Sequence, residues 1–333
     1  MTPVQGNTEN LILVGDVGGT NVRLGLADRS ASGKITIEKF ANVPGDSVPD
    51  LDTAIAGYLK AVNVTPKNVA LALAGPIKNN TVVLTNRPWT VSGPDLAAKI
   101  GAETIKLYND FEAMARSIPE LEVDDFDVLN SGKVVENTPI LVAGPGTGFG
   151  MAFLVPVPGQ MYRHWKVIAS EGGHVAFTPQ NQIECEILHI LQQDHEFVSL
   201  ELVCSGKGLD ELHKAVCKRQ GQTYNRMEPG AIHEAASAGD PVCLEVCEVR
   251  AAAIMCSIGD MALTGGTRSG VILAGGVTSR LMEFINTPKA MKRYFNRGLR
   301  SPYMESIPMR HLHKPSAALY GAAALFLDEI YDY

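Results

Sequence analysis

The sequence predicts an α/β protein built of two related lobes, on three observations. The stretch LILVGDVGGTNVRLGLAD, residues 11–28, is an apolar run interrupted by glycines and then resumed, the pattern of a β-hairpin. The same arrangement returns near residue 139 as PILVAGPGTGFGMAFLVP. Helical and strand patterns alternate after the first of these, as expected where helices cover a sheet. A chain of 333 residues also exceeds the size at which one hydrophobic core usually stops growing.

The first hairpin is followed by a third strand, KITIEKFAN, and an amphipathic helix, VPDLDTAIAGYLKAV. NVALALAGP is a buried strand ending in a turn, and TVVLTN a short strand. SGPDLAAKIG is a helix opened by Ser92 and closed by Gly101. TIKLYND is the next strand and FEAMARSI the next helix. After the second hairpin, the segment of about 182–260 is rich in helix signals. SGVILAGGVTSRLMEFI reads as strand, double-glycine turn and helix, and SAALYGAAALFLDEI as the last helix.

Composition narrows the function. The chain is 45% hydrophobic and 20% charged, with a net charge of −7 and no lysine/arginine block. That balance argues against nucleic acid or an anionic membrane as the main partner. The six cysteines, Cys185, Cys204, Cys217, Cys243, Cys247 and Cys256, form no C-x-x-C pair. Cys243 and Cys247 share a helix face, but no neighbouring His or Cys completes a metal set, so buried, reduced thiols are expected. The opening MTPVQGNTEN is polar, no apolar run reaches spanning length, and a cytoplasmic location is expected.

Three glycine turns stand out: GDVGGTN (15–21), GPGTGFG (144–150) and AGG (274–276). In the first, Gly18 and Gly19 are expected to supply the positive φ of a tight turn. Asp16, Thr20 and Asn21 exceed what a turn requires. Backbone amides in such turns, with the hydroxyls of Thr20 and Thr147, can bind phosphate oxygens, and a carboxylate beside phosphates holds Mg²⁺, usually through water. Other phosphate-binding patterns are missing. SGK occurs at 131–133 and 205–207, but Val134 and Gly208 follow where a P-loop needs Ser or Thr. No G-x-G-x-x-G follows the first strand, and the protein-kinase signatures are absent. Asn109 and Asp110 in YNDF suit helix capping, and equally a carboxylate kept ionised at a helix N-terminus as a proton acceptor. EGGH brings Glu171 and His174 around a glycine pair, side-chain types that bind adjacent sugar hydroxyls.

In these residues the chain resembles the bacterial-type glucokinases of the hexokinase–actin–Hsp70 superfamily. GDVGGTN resembles the first phosphate motif of that family, GPGTGFG the second and AGG the adenosine turn. LTNRPW, YNDFEA, EGGHV and ELVCSGKGL follow in the family's order, so the resemblance covers nearly the whole chain. It implies two actin-like (ribonuclease H-like) lobes with a cleft between them. Residues 1–118 would form the small N-terminal lobe, and 119–333 a larger C-terminal lobe with the helical insertion. It further implies ATP-dependent phosphorylation of the 6-hydroxyl of D-glucose, feeding glycolysis, by a cytoplasmic homodimer.

By the same resemblance Asp110 is the general base, and Asn109, Glu171, His174 and Glu201 hold glucose with it. Gly15, Asp16, Val17, Gly18, Gly19, Thr20 and Asn21, with Gly146, Thr147, Gly148, Gly275 and Gly276, hold ATP, and Asp16 holds Mg²⁺ through water. Pro145 departs from the family pattern; it lacks an N–H, so phosphate contacts should rest on Gly146, Thr147 and Gly148. Three alternatives remain. One is a kinase of another sugar (fructose, mannose, glucosamine or N-acetylmannosamine). The second is the related kinase/repressor group, whose cysteine-rich zinc motif after the His is here reduced to Cys185, and whose DNA-binding module would have to fit in MTPVQGNTEN. The third is an actin/Hsp70-like nucleotide switch, which would need neither EGGH nor the Asn–Asp pair.

Overall fold

The computed structural model describes residues 11–85, 87–157 and 164–331; MTPVQGNTEN, Asn86 of LTNRPW and the last two residues lie outside the described residues. The chain divides into two compact units. The first comprises the chain up to Asp125, Val157–Val167 and the chain from Lys314 onward; the second comprises Phe126–Pro156 and Ile168–His313.

In the first unit β1 (Ile12–Val17), β2 (Asn21–Arg29) and β3 (Ile35–Pro44) form an antiparallel meander. Helix α1 (Leu51–Val62), capped by Asp50, leads to β4 (Asn68–Leu73), which pairs with β1 in parallel. A small hairpin of β5 (Thr81–Val83) and β6 (Thr90–Ser92) and helix α2 (Gly93–Ile100) precede β7 (Thr104–Asn109), parallel to β4. As the sequence predicts, the Ser92 side chain accepts from the Asp95 amide and Gly101 ends α2 in the left-handed region, at φ 71°. Helix α3 (Asp110–Ser117) follows, and the sheet order is β3-β2-β1-β4-β7.

The second unit repeats this plan. After β8 (Phe126–Asn130), β9 (Ile140–Pro145) and β10 (Phe149–Val157) form the second glycine hairpin, with β11 (His164–Ser170), of which His164–Val167 are grouped with the first unit, beyond β10. Helices α4 (Gln182–Leu191), α5 (Leu200–Cys204), α6 (Leu209–Arg219), α7 (Pro229–Ser237) and α8 (Pro241–Gly265) come next, then β12 (Gly270–Leu273), parallel to β9. Helices α9 (Gly276–Arg280), α10 (Met282–Ile285), α11 (Pro288–Phe295) and α12 (Ser301–Glu305) lead to β13 (Met309–Leu312), parallel to β12. The order is β11-β10-β9-β12-β13-β8, so both units share a 3-2-1-4-5 sheet, the duplicated plan of actin-like lobes, and β8 adds an antiparallel edge.

The boundary differs from the expected division at 118/119. The last helix, α13 (Ala317–Tyr331), is covalently the end of the second repeat yet belongs to the first unit. Side-chain alternation along the strands explains why. Leu13, Leu71 and Leu73 face one way, toward Leu51, Ile55 and Leu96 of α1 and α2. Ile12, Val14, Ala70 and Ala72 face the other way, where small residues leave room for Ala318, Ala322 and Ala323 of α13. Gly321 lies so close to the Ala113 carbonyl of α3 that a methyl group there would overlap it. Arg116 of α3, buried, locks the pair by donating to both Asp328 oxygens at 2.6 and 3.0 Å and to Glu120 at 2.7 Å.

Three further expectations change. Neither Gly18 nor Gly19 has positive φ. The turn closes through the Gly18 amide on the Asn21 carbonyl (3.0 Å), and the Thr20 carbonyl is held by the Gly45 amide (2.8 Å). The glycines therefore keep the backbone bare rather than bend it. The helical segment runs to Gly265, where Gly266 ends α8 in the left-handed region at φ 59°. Five cysteines are buried, but Cys185 is exposed. Among the described residues no helix is long and apolar enough to cross a membrane.

Candidate active site

Ligands of open α/β sheets collect outside the carboxyl ends of parallel strands, and that edge gathers the candidate residues in each unit. In the first unit Val17, Leu73 and Asn109 are level across β1, β4 and β7. Beyond them lie the Gly18–Thr20 turn, Gly75 and Asp110. Asn109 is the N-cap of α3: its Oδ1 accepts from the amides of Phe111 (3.0 Å) and Glu112 (3.1 Å), and its Nδ2 donates to the Gly75 carbonyl (3.3 Å). One Nδ2 hydrogen remains for a ligand. The capping role is thus real, and it orients the amide rather than competing with a binding role.

Asp110 is the first residue of α3, and its Oδ1 accepts from the Phe111 amide at 2.8 Å. The helix N-terminus is expected to stabilise its anion, but the balance goes the other way. Burial pushes the Asp110 carboxyl up to about 6, with the Asp16 charge adding to the rise and the Phe111 amide opposing it. About nine-tenths of it remains carboxylate at pH 7. Asp16 is 7% exposed and is cross-strand partner to Arg23, whose Nη1 lies 2.6 Å from its Oδ2. Burial raises its carboxyl too, and Arg23 offsets part of that rise. Arg23 belongs to no motif of the sequence, although counting back from the hairpin turn pairs it with Asp16.

In the second unit Ala143 and Leu273 are level on β9 and β12, so the Gly146–Gly148 turn and the Ala274–Gly276 turn leave the same edge side by side. The Gly146 amide is committed to the Gly148 carbonyl (2.8 Å), a correction to the expected donors. The amides of Thr147 and Gly148 have no partner among the described residues and are free to donate to a ligand. Glu171 and His174 bracket a 3₁₀ turn closed by the His174 amide on the Glu171 carbonyl (2.9 Å). Residues three apart eclipse in such a turn, and both are exposed while Gly172 and Gly173 are buried. Glu201, in the first turn of α5, is not a free solvated carboxylate: its Oε2 accepts from the Phe149 amide at 2.8 Å.

The segment after Glu201 braces the Gly146–Gly148 turn. Gly206 and Lys207 amides donate to the Gly146 (2.9 Å) and Thr147 (3.2 Å) carbonyls. Behind them Arg250 of α8, 4% exposed, donates to the Cys204 carbonyl (3.2 and 3.0 Å) and the Ser205 carbonyl (3.0 Å). Nothing in the helical pattern around Arg250 marks it, because its partners are backbone atoms 45 and 46 residues away. Arg250→Leu should destabilise the second unit by about 2 kcal/mol through the orphaned carbonyls, read by urea unfolding, and raise KM for ATP. Unchanged unfolding would show that Arg250 does not hold this loop.

Comparison with known proteins shows the family. The family model described as glucokinase matches residues 13–329. The glucokinase of Saccharophagus degradans is 33% identical over 320 residues, 96% of this chain and 98% of that protein. That of Salmonella heidelberg is 35% identical over 317 residues, 94% of this chain and 95% of that protein. The crystal structure of a glucokinase from an Antarctic psychrotroph superposes with a TM-score of 0.84 at 32% identity, covering 96% of this chain and 99% of that one. The glucokinase of Balamuthia mandrillaris, solved in complex with glucose, shares the fold at a TM-score of 0.77 and 22% identity, covering 97% and 95%. With a duplicated sheet, glycine turns at the strand ends of each repeat and a match from β1 into α13, the chain belongs to the glucokinase family.

Proposed function

We propose that the chain transfers the γ-phosphate of ATP to the 6-hydroxyl of D-glucose, with Asp110 as general base. The observation that carries this is Asp110 itself: a carboxylate fixed at the start of α3, at the carboxyl end of β7, with its pKa raised to about 6. Such a group is largely ionised at neutral pH yet basic enough to accept a proton as the 6-oxygen attacks phosphorus. Asn109, Glu171, His174 and Glu201 bind the sugar hydroxyls. Gly15 to Asn21, the Gly146–Gly148 turn, Gly275 and Gly276 receive the nucleotide. Phosphoryl transfer depends on positioning and on stabilising charge more than on covalent chemistry, and the uncommitted amides of Thr147 and Gly148 suit that task.

Among the described residues no three His, Cys, Asp or Glu gather to hold a metal ion, so Mg²⁺ would rest on one carboxylate and the phosphates. Asp16 fits that part, since Arg23 engages its Oδ2 while Oδ1 has no hydrogen-bond partner among the described residues. When bound, Mg²⁺ supplies neutralisation of phosphate charge. A cytoplasmic homodimer is proposed on the resemblance alone, and sedimentation would test the dimer.

The deciding assay is phosphorylation of glucose, fructose, mannose, glucosamine and N-acetylmannosamine by ATP, with and without Mg²⁺. Glucose should have the highest kcat/KM and require the metal. ATP binding without turnover of any sugar would overturn the proposal, and a higher kcat/KM for another sugar would reassign the substrate.

A further inference from the structure

Ser279, His311 and Asp127 form a hydrogen-bonded chain that the phosphoryl chemistry leaves unused. Ser279 Oγ lies 3.0 Å from His311 Nε2, and His311 Nδ1 lies 3.1 Å from Asp127 Oδ2. The fold assembles it: His311 and Asp127 are cross-strand partners on β13 and β8, and Ser279 lies on α9, which opens at Gly276. His311 is 4% exposed, whereas Ser279 is exposed. Leu273 of β12 is level with His311, so the chain ends at the sheet edge from which the Ala274–Gly276 turn leaves. The other Asp127 oxygen, Oδ1, faces His313 Nε2 at 3.9 Å.

The chemistry of the chain fixes its direction. A carboxylate only accepts, so in the neutral imidazole Asp127 keeps the proton of His311 on Nδ1 and leaves Nε2 as the acceptor. Ser279 must then donate its hydroxyl hydrogen to Nε2; its alternative acceptor, the Gly275 carbonyl, is farther away at 3.5 Å. An unconstrained serine donates or accepts at will, but this one presents only oxygen lone pairs to solvent. The same trio makes a nucleophile in hydrolases. Here the Ser279 amide is bound to the Gly275 carbonyl (3.2 Å), so the serine offers no oxyanion donor of its own.

We propose that Ser279 is a specificity-determining residue for the nucleotide, accepting a hydrogen bond from the adenosine moiety of ATP through an oxygen oriented by His311 and Asp127. This rests on the Ala274–Gly276 turn being the adenosine site. Two groups of adenosine have the required donor, the exocyclic amine of adenine and a ribose hydroxyl.

Steady-state kinetics with ATP, ITP, 2′-deoxy-ATP and 3′-deoxy-ATP test this in the wild type, Ser279→Ala, Asp127→Asn and Gly276→Leu. One analogue should show a KM about 3–10-fold above that of ATP in the wild type. ITP being that analogue identifies the amine, a deoxynucleotide the ribose. Ser279→Ala should raise KM for ATP by the same factor, leave kcat unchanged and leave KM for that analogue unchanged. Asp127→Asn removes the charge that fixes the His311 proton on Nδ1, since an amide presents either its oxygen or its hydrogens there; it should weaken the preference in part, and no more than Ser279→Ala does. An equal rise for every nucleotide, or none for ATP, overturns the proposal. Gly276→Leu separates the two layers: a Cβ at Gly276 meets nothing within 4 Å and the residue lacks positive φ, so the substitution should block adenosine with the backbone kept. If Gly276→Leu raises KM for ATP and Ser279→Ala does not, the role of Ser279 alone fails. If Gly276→Leu also leaves KM unchanged, the adenosine site lies elsewhere and both fail.

Discussion

Asp110→Asn should lower kcat for glucose about 10²- to 10⁴-fold, the range lost with a positioned general base, while making the protein more stable. The two effects share a cause. Burial and the Asp16 charge raise the Asp110 carboxyl from 3.8 to about 6, so keeping it ionised in the fold costs about 3 kcal/mol. The sign follows from proton counts: between about pH 4 and 6 the folded state holds a proton that the unfolded state has released, so this contribution to stability falls as pH rises. Asparagine retains an acceptor for the Phe111 amide without the charge. Urea unfolding at pH 7 should therefore show the variant at least as stable as the wild type, and the difference should shrink toward pH 4. Wild-type kcat/KM should rise with pH through about 6 and level off, as deprotonation creates the base. If Asp110→Asn lost activity only in proportion to lost stability, or kept its rate, Asp110 would not be the base.

Gly144→Ala should disable the second unit by a different route. Gly144 is on β9 just before the Gly146–Gly148 turn, and a methyl group there would overlap the Ala274 carbonyl and crowd Thr278 Oγ1 at 2.6 Å. A side chain at Gly275, which has φ 98°, would approach the Pro145 carbonyl at 2.7 Å, so the two turns touch backbone to backbone. Both are strand ends, and neither can retreat without breaking β9–β12 pairing. Overpacking of this kind costs about 3 kcal/mol, and it should raise KM for ATP by prising the turns apart. Gly146→Ala is the contrast. A methyl group there meets nothing within 4 Å and the residue lacks positive φ, so the variant should fold normally yet bind ATP poorly. Normal unfolding and normal ATP affinity in Gly144→Ala would show that the close approach is not needed.

Much of this was legible in one dimension because the signals are local. The hairpins appear as apolar runs around glycines, α2 announces itself with Ser92 and Gly101, and Asn109 and Asp110 sit where a strand pattern gives way to a helical one. The short strands β6 and β8 were not legible, since three to five residues carry too little pattern. Nor was the departure of α13 to the first unit, because its alanine-rich face says that a close partner exists but not which sheet it is.

The sequence by itself determined the duplicated strand–turn–strand plan, the family to which the motifs point, and which residues could carry phosphate and sugar chemistry, all of which rest on neighbours a few positions apart. Only the tertiary structure decided the quantities that depend on groups distant in the chain. The Asp110 carboxyl rises because folding buries it and brings Asp16 near; Arg250 matters because it reaches the carbonyls of residues 204 and 205. Ser279 becomes an oriented acceptor only because residues 127, 279 and 311 meet at one sheet edge. Desolvation and hydrogen-bond direction are properties of three-dimensional proximity, which local pattern does not encode.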